Sequence, residues 1–204
     1  MKLSTFTSLI CALIYLISCS VDQQKLPILG RMNIEGTDTI LHKIPKFNFI
    51  NQDSNYVTNQ DLEPYIYVSD FFFISCPSIC PLVKKQMLRV YEKYKDNPKI
   101  KMVSHTIDPK RDTPKKLSKY AEKLKIDTDK WMFLTGDKGE ILDIADDYFV
   151  AAFEDADAPG GFDHSGKIIL TDTKGHIRAF AEGTDSDDVT DFLKDIDLLL
   201  KEYE

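Results

Sequence analysis

The chain has 204 residues, 43% hydrophobic and 29% charged, which suits one domain with its own core and excludes both a disordered chain and a small fold dependent on disulfide staples. A formal net charge of -7 excludes a protein built to neutralise nucleic-acid phosphates. Charge is uneven, with 15 Lys and Arg against 7 Asp and Glu over residues 82–130 and 6 against 19 over residues 131–204, which reads as two solvated faces of opposite sign.

The N-terminus reads as a targeting segment. Lys2 gives a positive start, and "LICALIYLI" (9–17) is shorter than the ~20 apolar residues a membrane-spanning helix needs. The following "LISC" resembles the lipobox of bacterial lipoproteins, in which the chain is cut before the cysteine and that cysteine is acylated. Residues 1–18 are therefore expected to be a signal peptide, Cys19 the lipidated residue, and 19–44 an anchor and tether before a domain at 45–204. The protein is placed in the cell envelope, held to a membrane and facing outside the cytoplasm. Cys11 leaves with the signal and Cys19 carries lipid, so Cys76 and Cys80 remain as the thiols, in a compartment that permits disulfides.

Within the domain, "PKFNFINQDSNYVTNQDL" (45–62) reads as two short strands around a turn. "YIYVSDFFFI" (65–74) is the near-continuous β-branched and aromatic pattern of a strand covered on both faces. Val83, Met87, Val90, Tyr91 and Tyr94 recur at helical spacing, with Lys84, Lys85, Arg89 and Lys93 on the opposite face. "IKMVSHTID" (100–108) predicts a strand. "DTPKKLSKYAEKLK" (112–125) predicts a helix with Thr113 as cap and Pro114 in its first turn. "WMFLTG" reads as a strand, "EILDIADDYF" as a helix, "KIILTDTKGHIRAF" (167–180) as a hairpin, and Asp187 to Tyr203 as a final helix. Strands alternating with helices before a closing hairpin define an α/β fold with a mixed sheet, and a thioredoxin-like core with an added N-terminal hairpin satisfies the order.

The segment "FFFISCPSICPLVKKQM" (71–87) places two thiols four residues apart where a strand runs into a helix. Positions i and i+4 share a helix face, and a helix N-terminus favours thiolate. A disulfide staple, a redox couple and a soft-metal site all remain open, although a staple across so short a loop restrains the unfolded chain little. Two thiolates suit Cu(I), and an added imidazole makes a site competent for Cu(II). Among the histidines, His42, His105 and His176 read as packing or surface. His164, in "DAPGGFDHSGK", sits in a long loop able to fold over the sheet end, with Asp163 or Ser165 placed to orient its ring. Asp70, inside an apolar strand, reads either as a buried acid affecting thiol ionisation or as a solvated strand-edge residue, and Met87, Met102 and Met132 read as core.

"DFFFISCPSICP", "TIDPKRDTP" (106–114) and "FDHSGKIILTD" occur in order and together resemble the three signatures of the Sco/SenC family of copper-delivery proteins, over about residues 45–200. The resemblance implies a thioredoxin-like fold, membrane tethering, and copper held by Cys76, Cys80 and His164 for assembly of cytochrome c oxidase. It marks Asp108 as an acidic residue near the metal that tunes or transiently binds it, the alternative being a helix-entry residue in a D-P turn. It also implies an oxidase subunit and a thiol reductant as partners, and a carrier in place of a turnover enzyme. Ser78 stands where family members often carry an acid. The rival reading is a thiol-disulfide oxidoreductase that reduces an apo copper site or another exported protein; it uses both cysteines and does not require His164.

Overall fold

The computed structural model describes residues 25–204. The expected signal segment, Cys11 and Cys19 lie outside them. The described chain runs β1 (Met32–Glu35), β2 (Asp38–Leu41), β3 (Asn48–Asn51), β4 (Tyr56–Thr58), a single 3-10 turn (Asn59–Asp61), β5 (Ile66–Phe72), α1 (Cys80–Tyr94), β6 (Ile100–Thr106), α2 (Pro114–Leu124), β7 (Trp131–Thr135), α3 (Lys138–Asp147), β8 (Ala152–Glu154), β9 (Phe162–His164), β10 (Lys167–Thr171), β11 (Ile177–Glu182) and α4 (Ser186–Glu202). No helix among the described residues is long and apolar enough to cross a membrane.

Seven strands form one mixed sheet in the order β11-β10-β5-β6-β7-β3-β4. The β5, β6 and β7 strands are parallel, joined through α1 and α2, and the remaining neighbours are antiparallel. This is the thioredoxin-like α/β arrangement expected from the element order, with the 45–62 hairpin added at one sheet edge. Every residue of β5 is buried, as a central strand covered on both faces must be. On one face Phe72 stacks on Tyr120 of α2 at 5.7 Å, and Asp70 meets Lys84 of α1. On the other, Phe71 lies 5.5 Å from the ring of Tyr148, the residue that ends α3.

Three features depart from the sequence reading. Lys84, expected on the solvated face of α1, is buried over Phe72 and Trp131, with Nζ 4.5 and 4.8 Å from their ring centroids. A charged residue can take a core position when a buried carboxylate and aromatic faces receive it, and a hydrophobicity pattern does not register that. Thr113 caps α2 through extended backbone alone, its side chain making no capping hydrogen bond, while Pro114 sits in the first turn as expected. Two further hairpins are present: β1–β2 rises within the stretch read as a tether, and β8–β9 pairs Ala152 with His164 inside the stretch read as a loop.

Candidate metal centre

The β5 strand delivers the chain to the site. Past Phe72 the backbone turns through Ile74 and Ser75, with Cys76 N–H donating to Phe73 O at 3.2 Å, and re-enters regular structure at Cys80, the first residue of α1. Pro81 follows within the first turn, where its missing N–H leaves no intrahelical bond unmade. Cys76 therefore belongs to the loop and Cys80 to the helix terminus. Both are free thiols and both are buried.

His164 ends β9 and is itself buried at 8% exposure, held over the loop by its pairing with Ala152 and by the Phe73 ring 5.7 Å away. Its Nε2 lies 3.8 Å from Cys76 Sγ and 3.4 Å from Cys80 Sγ. Nδ1 is 3.2 Å from the Ser165 carbonyl, which can only accept, so Nδ1 carries the proton and Nε2 is turned on the sulfurs. From there it donates to a thiolate when doubly protonated and serves as a ligand when not.

The three ligand atoms lie within 4.8 Å of one another, and among the described residues this is the one group of three or more His, Cys, Asp or Glu side chains whose ligand atoms converge. A first-row cation held by imidazole and thiolate at about 2.0–2.3 Å sets trigonal donors roughly 3.5–4 Å apart. The two sulfur-to-nitrogen separations, 3.8 and 3.4 Å, are close to that spacing, and two sulfurs with one imidazole nitrogen are the soft donor set suited to Cu(I) and tolerant of Cu(II).

The two thiols are electrostatically unequal. Burial opposes ionisation of Cys76, but hydrogen bonds with His164, with Ser78 at 3.6 Å, and with backbone groups outweigh it and bring the thiol down to about 6. Burial pushes the Cys80 thiol up; a backbone hydrogen bond at Phe73 opposes this only partly, and the neighbouring Cys76 and the Asp70 charge add to the rise. The apo site thus pairs a ready thiolate with a protonated thiol.

The residues expected beside the ligands divide. Asp163 points to the exposed side of β9, opposite His164, and the ring is oriented instead by the carbonyl of Ser165. Strand alternation is the reason: consecutive residues of a strand face opposite ways, whereas a loop would have let both converge. Asp108 is buried and paired with Arg111, whose Nη2 donates to Gly160 O at 2.6 Å. It thereby ties the second signature to the loop between β8 and β9. Gly160 adopts φ +84°, and a Cβ there would stand 2.7 Å from Phe73, so this close approach requires glycine.

Two site-supporting residues escaped the sequence reading. Asp112 accepts from Ile74 N–H at 2.9 Å and Thr106 Oγ1 at 2.7 Å, fastening the cysteine loop to the end of β6. Burial raises its carboxyl, against those two hydrogen bonds. Its place inside "TIDPKRDTP" was the available signal. Lys84, below the cysteines, gave none.

Fold and site together define a thioredoxin-like domain that presents a Cys2His soft-metal cluster at the point where its central strand enters a helix. The SCO1/SenC family model matches residues 37–199, and the chain belongs to that family. It is similar to the SCO1 protein homolog of Bacillus subtilis, 27% identical over 190 residues covering 92% of this chain and 93% of that one. It also resembles the crystal structure of a SCO1/SenC family lipoprotein from Bacillus anthracis (TM-score 0.70, 27% identity, 78% of this chain and 95% of that one). The structure of Arabidopsis thaliana ScoI with copper bound is similar as well (TM-score 0.63, 28% identity, 74% of this chain and 96% of that one).

Proposed function

We propose that this protein is an extracytoplasmic copper metallochaperone, held to a membrane by lipid on Cys19, that carries copper on Cys76, Cys80 and His164 and supports assembly of the copper centre of cytochrome c oxidase. The observation that carries the reading is the convergence of two sulfurs and one imidazole nitrogen within 4.8 Å. The copper bound to the Arabidopsis relative supports the cargo, and the description of the Sco family as cytochrome c oxidase assembly proteins supports the destination. The lipoprotein nature of the Bacillus anthracis relative supports the anchor. Asp108 and Arg111 act by holding the histidine arm closed, outside the ligand set.

The unequal thiols favour a second reading, a thiol-disulfide reductant. In that role the Cys76 thiolate attacks a substrate disulfide and releases one substrate thiol. Cys80 then displaces the other, leaving a Cys76–Cys80 disulfide that an external dithiol must reduce. A strain carrying His164→Ala separates the two. Delivery predicts lost oxidase activity that added copper restores at least partly. Reduction predicts a nearly silent His164→Ala, defective cysteine variants, and rescue by exogenous thiol rather than by copper.

A further inference from the structure

Among the described residues the β1–β2 hairpin is clamped at its neck and left uncovered beyond it. Before it, Leu26 N–H donates to Glu202 Oε1 at 2.7 Å, Arg178 Nε donates to Pro27 O at 3.1 Å, and Leu29 N–H donates to Ile177 O at 2.8 Å. After it, His42 Nε2 meets Asp147 O at 2.7 Å, His176 Nδ1 meets His42 O at 2.7 Å, and Ile44 N–H donates to Gly175 O at 2.9 Å. Gly30, at φ +124°, closes the neck: a Cβ there would stand 2.6 Å from that of His42.

Between the clamps lie exposed apolar side chains, Met32 at 70%, Ile34 at 78% and Leu41 at 37% exposure. Met32 pairs with Leu41 and Ile34 with Thr39, so these three apolar residues share one face of the ribbon. A two-stranded hairpin with no packed face is marginal in water, and a contiguous exposed apolar face marks an interaction surface.

Its occupant follows from the chain that precedes it, on the reading that Cys19 is lipidated. Five residues separate Cys19 from Lys25, which at about 3.3–3.6 Å per residue keeps Lys25 within roughly 20 Å of the bilayer. The number of residues limits the distance and does not by itself set the orientation. Exposed Lys25, Lys43 and Lys174 near the neck add attraction to anionic headgroups. We infer that the β1–β2 hairpin is a second membrane contact, lying side-on in the interfacial region with Met32, Ile34 and Leu41 toward the acyl chains. Five of the six clamps gather at the Thr171 and Ile177 end of the β10–β11 pair, the sixth being to Asp147 O at the end of α3, whereas His164 adjoins the Lys167 and Glu182 end. Docking therefore turns the Cys–His cluster away from the bilayer, toward the aqueous compartment.

The test places a tryptophan on the hairpin of the full chain, added to anionic phospholipid vesicles with brominated acyl chains. Trp131 is the native tryptophan and is fully buried, so the added indole is read separately. The expected result is about twofold or greater quenching of Ile34→Trp, none of Leu82→Trp on the exposed start of α1, and loss of the Ile34→Trp signal when Met32→Ser is added. Absence of Ile34→Trp quenching overturns the inference, with or without acyl chains on Cys19. Concentration-dependent dimerisation abolished by Met32→Ser, again without quenching, overturns it in favour of a second copy on the same face. The mass of the N-terminal peptide reports separately whether Cys19 is acylated, so failure of the anchor and failure of the hairpin contact are distinguishable.

Discussion

Lys84 Nζ lies 3.5 Å from Asp70 Oδ2, and the two side chains are 6% and 0% exposed. Asp70 also accepts from Ser104 Oγ, which in turn accepts from Trp131 Nε1 at 2.8 Å, so the carboxylate is held from two strands and a helix. Burial lowers the Lys84 ammonium, with the Asp70 charge opposing. Lys84→Ala strands a buried carboxylate and is expected to cost about 3–5 kcal/mol in urea unfolding. The Asp70→Leu/Lys84→Met double variant, which removes both charges, recovers most of that loss. Equal destabilisation in the single and double variants would contradict the pairing.

How legible this was depends on what each residue does. The buried periodicity of Val83, Met87 and Val90 and the unbroken apolar run of β5 are direct consequences of packing, and both elements lie where the pattern put them. Lys84, on α1, broke the same rule because its compensation, Asp70, comes from strand β5, 14 residues away. His164 stood out as a residue but not as part of a strand. "FDH" and "AFE" are too short to carry a period-two signal, and their pairing depends on Gly160 and Arg111 closing the intervening loop. Among the described residues no side chain of the β1–β2 hairpin is buried, so hydrophobic alternation had no interior to report.

His105 is fully buried, stacked 4.9 Å from Phe71, with neither ring nitrogen hydrogen-bonded. Burial lowers it to about 3. A group depressed on folding stabilises the native state above its unfolded value, near 6.5, and loses that contribution as pH falls toward the folded value. Stability should decline by ~1.4 kcal/mol per pH unit between about 6.5 and 3 from this residue alone. His105→Phe should flatten that part of the pH profile, measured by denaturant unfolding at each pH.

Iodoacetamide should modify the reduced apo protein at Cys76 first, with a rate that rises through a midpoint of about 6, while Cys80 stays slow to well above neutral pH. His164→Ala and Ser78→Ala each remove a hydrogen bond that favours the Cys76 thiolate, so both should move its midpoint upward. Peptide mapping of the alkylated cysteines across pH gives the answer, and equal rates at the two thiols would contradict the asymmetry.

Arg111→Ala releases Gly160 O, and Gly160→Val forces a side chain toward Phe73 at a positive φ. Both should loosen the arm that carries His164 and leave the cysteine loop, fastened by Asp112, in place. The expected outcome is weaker Cu(II) binding, by about 10–100-fold as for lost outer partners of a metal site, with Cu(I) binding little changed. Competition titrations in each oxidation state check it.

The most direct measurement is a copper titration of the reduced protein beside its Cys76→Ser, Cys80→Ser and His164→Ala variants. Binding of one copper per chain is expected, with sulfur-to-copper charge-transfer bands in the Cu(II) form. Loss of either cysteine should weaken binding by more than about a hundredfold, since a ligand outweighs the outer partners that support it. His164→Ala should impair Cu(II) more than Cu(I), because two thiolates already satisfy the lower-coordinate ion. Copper binding with the same stoichiometry and spectrum in the wild type and in both cysteine variants would contradict a metal centre at Cys76, Cys80 and His164.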